Sequence, residues 1–175
     1  MPASLSISGM EVYFYGSIDM KQYFLKLYQY NAWANKRVLD CLVRQRLTDE
    51  KIMSVMGHVI AAQFLWLHRI QGLPPADVKL WGEYKLEQLV LMSADITHRW
   101  IQFVTDTDDF NRDLSYKNYV GDPYVTNVEV IMNHLVNHSS YHRAQVAMLL
   151  RQKGYEPINT DFITYDRILR GQWKD

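Results

Sequence analysis

Three histidines stand at positions i, i+4 and i+8 of one stretch, His134, His138 and His142, inside HLVNHSSYHRAQ. Four residues make about one helical turn, so neighbouring pairs put two imidazoles on one face of a helix. The surrounding Val128, Ile131, Leu135, Val146 and Leu149 keep the same period and form an apolar stripe. An amphipathic helix of this kind needs a partner surface to bury that stripe, and that need constrains the whole chain. His134 and His142 lie roughly 12 Å apart along the axis at ~1.5 Å per residue. They are too far apart to share one metal ion easily, so the expected design is two histidines from this helix and a third ligand from another.

The rest of the chain supplies the partner helices. Phe24, Leu27, Val38 and Leu42 keep a helical period over about 19–46. Leu47-Thr48-Asp49 breaks it and offers an N-cap. A second helix is expected over 49–71, stopped by Gly72 and the Pro74-Pro75 pair. A third spans about 83–105. Residues 106–125 are irregular, with alternation around Gly121-Asp122-Pro123 that predicts a hairpin or a crossover with short strands. Thr126-Asn127-Val128-Glu129 reads as a capping box opening the fourth helix, which ends at Gly154. A short helix is expected at 160–169. Together these predict an all-α four-helix bundle with a crossover connection before the last long helix.

Residues 1–18 have no helical period, and Met20 offers a second start. They read as an N-terminal extension, or as a short strand at EVYFY, ahead of one domain over 19–175. With 175 residues, 19 basic and 19 acidic, the chain suits a single neutral core-forming domain. No basic groove for nucleic acid and no apolar run for a bilayer is present. No signal peptide is evident, and the lone Cys41 excludes a disulfide framework, so a reducing cytoplasm is expected.

Helical wheels sort the histidines. His138 and His142 fall in or at the edge of the apolar stripe, and His134 lies further round. On the second helix His58 lies at the edge of the face of Ile52, Val55, Val59, Ala62, Trp66 and Ile70. His68 and His98 point to polar sides and read as ordinary surface residues, and Cys41 as an ordinary thiol. Asn31 and Asn35 fall on the apolar face of the first helix, near the site or as links between helices. Arg143 points away from the stripe and reads as a surface or interface residue salt-bridged to another helix. Gln145, beside His138, suits a hydrogen bond to a ligand or a bound water. Tryptophans and tyrosines at helical spacing read as core, some of them at a pocket mouth.

The run from His134 to Gln145 resembles the NHS-xx-HRGQ signature of the DinB-like (YfiT-like) superfamily. Tyr30-Asn31-Ala32-Trp33-Ala34-Asn35-Lys36-Arg37 resembles that family's first helix, and Gly57-His58-Val59 followed by Phe64-Leu65-Trp66-Leu67 its second. The resemblance covers about 20–170. It implies a down-up-up-down bundle, often a homodimer, with a metal ion held by His58, His138 and His142. The chain departs at Ala144, where the family usually has Gly; a small residue still permits close helix packing.

Three histidines and an open position are typical of catalytic zinc. Imidazole also suits Ni, Cu and Fe, and zinc or nickel is the first expectation, with Mn or Fe the next. The ion could activate water for hydrolysis or a thiol for S-transfer, and the family includes enzymes of both kinds, some using low-molecular-weight thiols. No HExxH glutamate accompanies the histidines, which favours activation by the metal alone on a small-molecule substrate. Two other readings stay open. One is a non-catalytic stress-response module whose ion holds three helices together. The other is a metal-free bundle with a buried histidine network. The expected pocket draws its lining from four helices and the 106–125 segment.

Overall fold

The computed structural model describes residues 19–118 and 120–173, and the backbone of 4–7 and 10–13. Of the 1–18 segment, β1 (Ser4–Ile7) pairs antiparallel with β2 (Met10–Tyr13), and Ser4 stands opposite Tyr13. The strand expected at EVYFY is therefore present through Tyr13, and its last two residues lie outside the described ones.

Four long helices follow: α1 (Met20–Arg44), α2 (Glu50–Gln71), α3 (Leu86–Asp106) and α4 (Val128–Gln152). A short α5 (Phe162–Leu169) closes the chain. Asp49 caps α2 by accepting from the Ile52 N–H at 3.0 Å. Gly72 ends α2 at φ 65°, a left-handed conformation that glycine adopts without steric cost. Two boundaries differ from those expected. The third helix starts at Leu86 rather than 83, because Tyr84 is used to cover α2. The fourth is capped by Asn127, whose Oδ1 accepts from the Glu129 N–H at 3.0 Å. Thr126 is engaged elsewhere, opposite Leu114 in the antiparallel pair β3 (Asp113–Lys117) and β4 (Pro123–Asn127).

The chain is an all-α four-helix bundle with that small hairpin between α3 and α4. Helix α1 packs against α3 and α4, and α2 against α4 and α3. Lys21 meets Asp108 and Tyr28 stacks near Trp100, so α1 and α3 are antiparallel. Tyr23 meets Asn133 and Asn35 meets Arg143, so α1 and α4 are parallel. The link 72–85 folds back along α2 and brings Tyr84 over Gly57, which starts α3 at the same end as α2. This is the down-up-up-down order that the resemblance implies. Phe24, Leu42, Ile52, Met56, Leu89, Trp100 and Met132 fill the core. No described helix is long and apolar enough to cross a membrane.

Arg143 corrects the wheel. It is 2% exposed and meets no carboxylate. Its Nη1 donates to Asn31 Oδ1 (2.6 Å) and Asn35 Oδ1 (2.9 Å). Its Nη2 donates to Tyr30 Oη (3.2 Å) and Ser140 Oγ (2.9 Å). The long side chain reaches from outside the stripe into the α1–α4 interface, which a projection of Cα directions does not capture. Burial lowers its pKa, and the Tyr30 phenol opposes that effect. Asn31 and Asn35 thus link helices; Asn31 Nδ2 also donates to Gln63 Oε1 of α2 at 3.2 Å. Ala144 is exposed, so its small size serves no packing within this chain.

Candidate metal centre

One ring nitrogen from each of His58, His138 and His142 lies within 4.8 Å of the other two. These are the three residues that the wheels and the resemblance single out. His58 sits about two turns into α2, and its Nε2 stands 3.0 Å from Nε2 of His138. His138 and His142 are one turn apart on α4, which runs antiparallel to α2 there, with ring centroids 4.5 Å apart. The cluster therefore joins two helices, not the three expected of a structural clamp.

The hydrogen bonds around the rings set their tautomers. Nδ1 of His58 lies 3.0 Å from the Leu80 carbonyl, which can only accept, so this nitrogen carries the proton. Nδ1 of His142 lies 2.8 Å from Gln145 Oε1 and donates to it. Both rings then turn an Nε2 lone pair inward. Gln145 thus takes the role of orienting a ligand. His138 is different: its Nδ1 is buried and has no partner.

Electrostatics favour the neutral form of His58 and His138. Burial pushes the His138 pKa down to about 4, and the neighbouring His142, His58 and His134 add to the effect. Burial also lowers His58, partly offset by the Leu80 carbonyl. With the His58 proton on Nδ1, Nε2 of His138 is the nitrogen that donates across the 3.0 Å contact, and its buried Nδ1 is left without a partner. Two nitrogens each ~2.0–2.1 Å from one ion stand roughly 3 Å apart. The 3.0 Å separation of the His58 and His138 Nε2 atoms matches that spacing, so the residues fit a divalent cation.

The link 72–85 completes the site. A Cβ at Gly57 would lie 2.6 Å from Cδ2 of Tyr84, so glycine there lets the Tyr84 ring lie on α2. The Tyr84 hydroxyl accepts from the Lys79 N–H (2.9 Å) and donates to the Lys79 carbonyl (2.8 Å). That closed loop holds the Leu80 carbonyl and the Trp81 ring against His58. Trp81 stacks on His58 at 3.8 Å between centroids, 6° from parallel. Sequence reasoning missed Leu80, Trp81 and Tyr84. Helical wheels carry no information about a loop, and the only signal was Trp81-Gly82 in the link and a glycine, Gly57, next to a candidate ligand.

Beside the histidines opens a cleft of about 400 Å³. His58 and His138 form one end, and Trp66, Arg69, Tyr116 and Tyr124 form much of the wall. Its lining comes from α2, α4, the 72–85 link and the β3–β4 hairpin, not from four helices. His134 lines this cleft outside the three-histidine cluster. No carboxylate lines it among the described residues. His98 is exposed, as expected, and His68 is half-buried with Nδ1 2.8 Å from the Pro74 carbonyl. Cys41 is a buried free thiol that accepts from Gln45 Nε2 at 2.9 Å.

The chain is similar to known proteins along most of its length. Residues 20–174 match the sequence profile of the DinB family. The chain is 26% identical over 163 residues to Protein DinB of Bacillus subtilis (strain 168), covering 83% of this chain and 95% of that protein. It is 23% identical over 153 residues to the uncharacterized protein YizA of the same organism, covering 79% and 93%.

Proposed function

Since the chain belongs to the DinB family, we propose that it binds one divalent metal ion through His58, His138 and His142 and acts as a metal-dependent enzyme on a small molecule. The observation that carries this reading is the convergence of three imidazoles within 4.8 Å, two of them held by outer acceptors. Zinc or nickel suits an all-imidazole donor set best. A fourth position is left to the substrate side, where the cleft meets His58 and His138. When bound, such an ion supplies Lewis acidity, which favours the deprotonated form of a thiol or a water at that position.

The chain's own residues do the rest. Gln145 and the Leu80 carbonyl orient His142 and His58. Trp81 shields the His58 ring from solvent, and the aromatic wall receives the substrate body. No carboxylate in the cleft can serve as a general base. That absence among the described residues favours S-transfer by a low-molecular-weight thiol over hydrolysis, because a thiol needs no base once its pKa has fallen below neutral. A cytoplasmic setting suits this chemistry, since thiols stay reduced there. A homodimer is the expected assembly. Val130, Tyr141, Ala144 and Met148 leave an exposed, largely apolar strip along α4, and sedimentation analysis measures whether it is paired.

The test is elemental mass spectrometry of purified protein, wild type beside His138→Ala. About one metal per chain, lost in the variant, supports the site; S-transfer from a thiol to an electrophile, abolished by His58→Ala and His142→Ala, supports the activity. Full turnover by a metal-free double variant sinks the enzyme reading.

A further inference from the structure

The cleft beside the histidines carries one charged side chain in its lining, Arg69. Its guanidinium lies over the Trp66 ring (5.0 Å to the centroid) and the Tyr116 ring (5.2 Å). One nitrogen, Nη2, donates to the Lys117 carbonyl at 3.1 Å and so ties the hairpin to α2. Nε and Nη1 make no hydrogen bond among the described residues, and no Asp or Glu pairs with this guanidinium. Six other cations on the bundle surface do have such a partner: Lys21, Lys26, Lys36, Arg99, Lys153 and Arg170 each meet an aspartate.

A guanidinium packed against two rings and fixed at one nitrogen is a partly pre-set fork. It presents its remaining N–H groups at a fixed angle, the geometry that recognises a carboxylate. The stacking also restricts its rotamers, so little entropy is left to lose on binding. The walls beside it, Trp66, Tyr116, Tyr124, Leu65 and Ala62, are apolar or aromatic. The cleft volume, about 400 Å³, fits a small organic molecule. Residues 58 and 69 are eleven apart on α2, roughly 16 Å along the axis at ~1.5 Å per residue, so the two polar ends of the cleft are well separated.

We propose that this cleft takes a small organic carboxylate with an apolar, ring-bearing body, its carboxylate held by Arg69 and its opposite end directed at the three histidines. The proposal deepens the metal-enzyme reading and rests on it only for the end that meets the histidines. Arg69 is a binding residue here, remote from the reacting atoms.

The probe pair is 4-phenylbutyrate and its amide, 4-phenylbutyramide, titrated calorimetrically into the full chain with and without zinc. Wild type is expected to bind the acid about tenfold or more tightly than the amide, with zinc and without it. Arg69→Gln is expected to erase that preference while zinc affinity, read by chelator competition, stays unchanged. Arg69→Lys keeps the charge and protects against a folding artefact; it is expected to retain a preference of only a few-fold. Equal binding of acid and amide, a preference that survives Arg69→Gln, or one that appears only with zinc overturns the proposal, the last because the carboxylate would then be on the ion. If zinc fails to bind yet the preference is present and lost in Arg69→Gln, the carboxylate site stands and the metal reading falls.

Discussion

The ring of Trp81 lies flat on that of His58, 3.8 Å away and 6° from parallel, and the carbonyl of the residue before it receives the His58 Nδ1 proton. One short loop thus fixes a ligand's tautomer and its ring plane together. Trp81 is 56% exposed, so burying its own surface does not explain its position. Trp81→Ala should leave the bundle folded and weaken metal binding. A stacked pair contributes ~0.5–1.5 kcal/mol, which is about a 2- to 12-fold loss in affinity. Chelator competition measures it, and unchanged far-ultraviolet circular dichroism shows that the helices are intact. An unaltered affinity would show that the indole is a bystander.

Gln145 holds His142 from the next turn of the same helix, at 2.8 Å. Gln145→Leu keeps the size and removes the acceptor. The His142 ring can then rotate or change tautomer, and metal affinity should fall by about 10- to 100-fold. Thermal stability of the metal-free protein should change little, because Gln145 is only half-buried. The split between those two readouts distinguishes an orienting residue from a structural one.

The helices, their order and the three histidines were legible because a period of 3.6 residues and a one-turn spacing are local properties. Gly72 and Gly154 marked helix ends for the same reason: each lies at positive φ, 65° and 80°. What was not legible depends on side-chain reach or on loops. Arg143 points away from the stripe on the wheel, yet its guanidinium ends among Tyr30, Asn31 and Asn35. Trp81 is placed by Tyr84 over Gly57, a contact between residues 27 apart in a link with no period at all. The start of α4 moved by one residue because Thr126 is held by its hairpin partner, a pairing that a capping pattern does not contain.

Arg143 has no carboxylate partner, so its charge is balanced by dipoles alone. Four acceptors within 3.2 Å replace its hydration, while Nε remains without a partner. Arg143→Ala leaves the amide oxygens of Asn31 and Asn35 facing a cavity. Hydrogen bonds to a charged group contribute about 1.5–3 kcal/mol, and a loss of roughly 3 kcal/mol is expected in urea unfolding. Arg143→Met fills the space but leaves the same acceptors unpaired, and should recover only part of the loss. Full recovery by Met would mean that shape, and not the hydrogen bonds, fixes this interface.

Asp49 joins two helices at one end of the bundle: it caps α2, and its Oδ2 accepts from Lys153 Nζ, just past α4, at 2.7 Å. The Lys153 hydrogen bond, followed by that of the Ile52 N–H, holds the Asp49 pKa below 3.8. A carboxylate with a depressed folded-state pKa stabilises the fold above its unfolded value, and that contribution is lost as pH falls through the folded one. Asp49→Asn keeps a capping oxygen and removes the charge. At pH 7 it should lower stability by less than about 1 kcal/mol, since the pair lies near solvent, or by roughly 2–4 °C at most. The deficit should shrink at high salt, and it should narrow as pH falls from the ordinary carboxylate range toward the lowered folded-state value, where wild-type Asp49 itself takes up a proton. Melting curves of both proteins between pH 7 and pH 3 check the sign: a gap that widens on acidification would mean that Asp49 does not act through its charge.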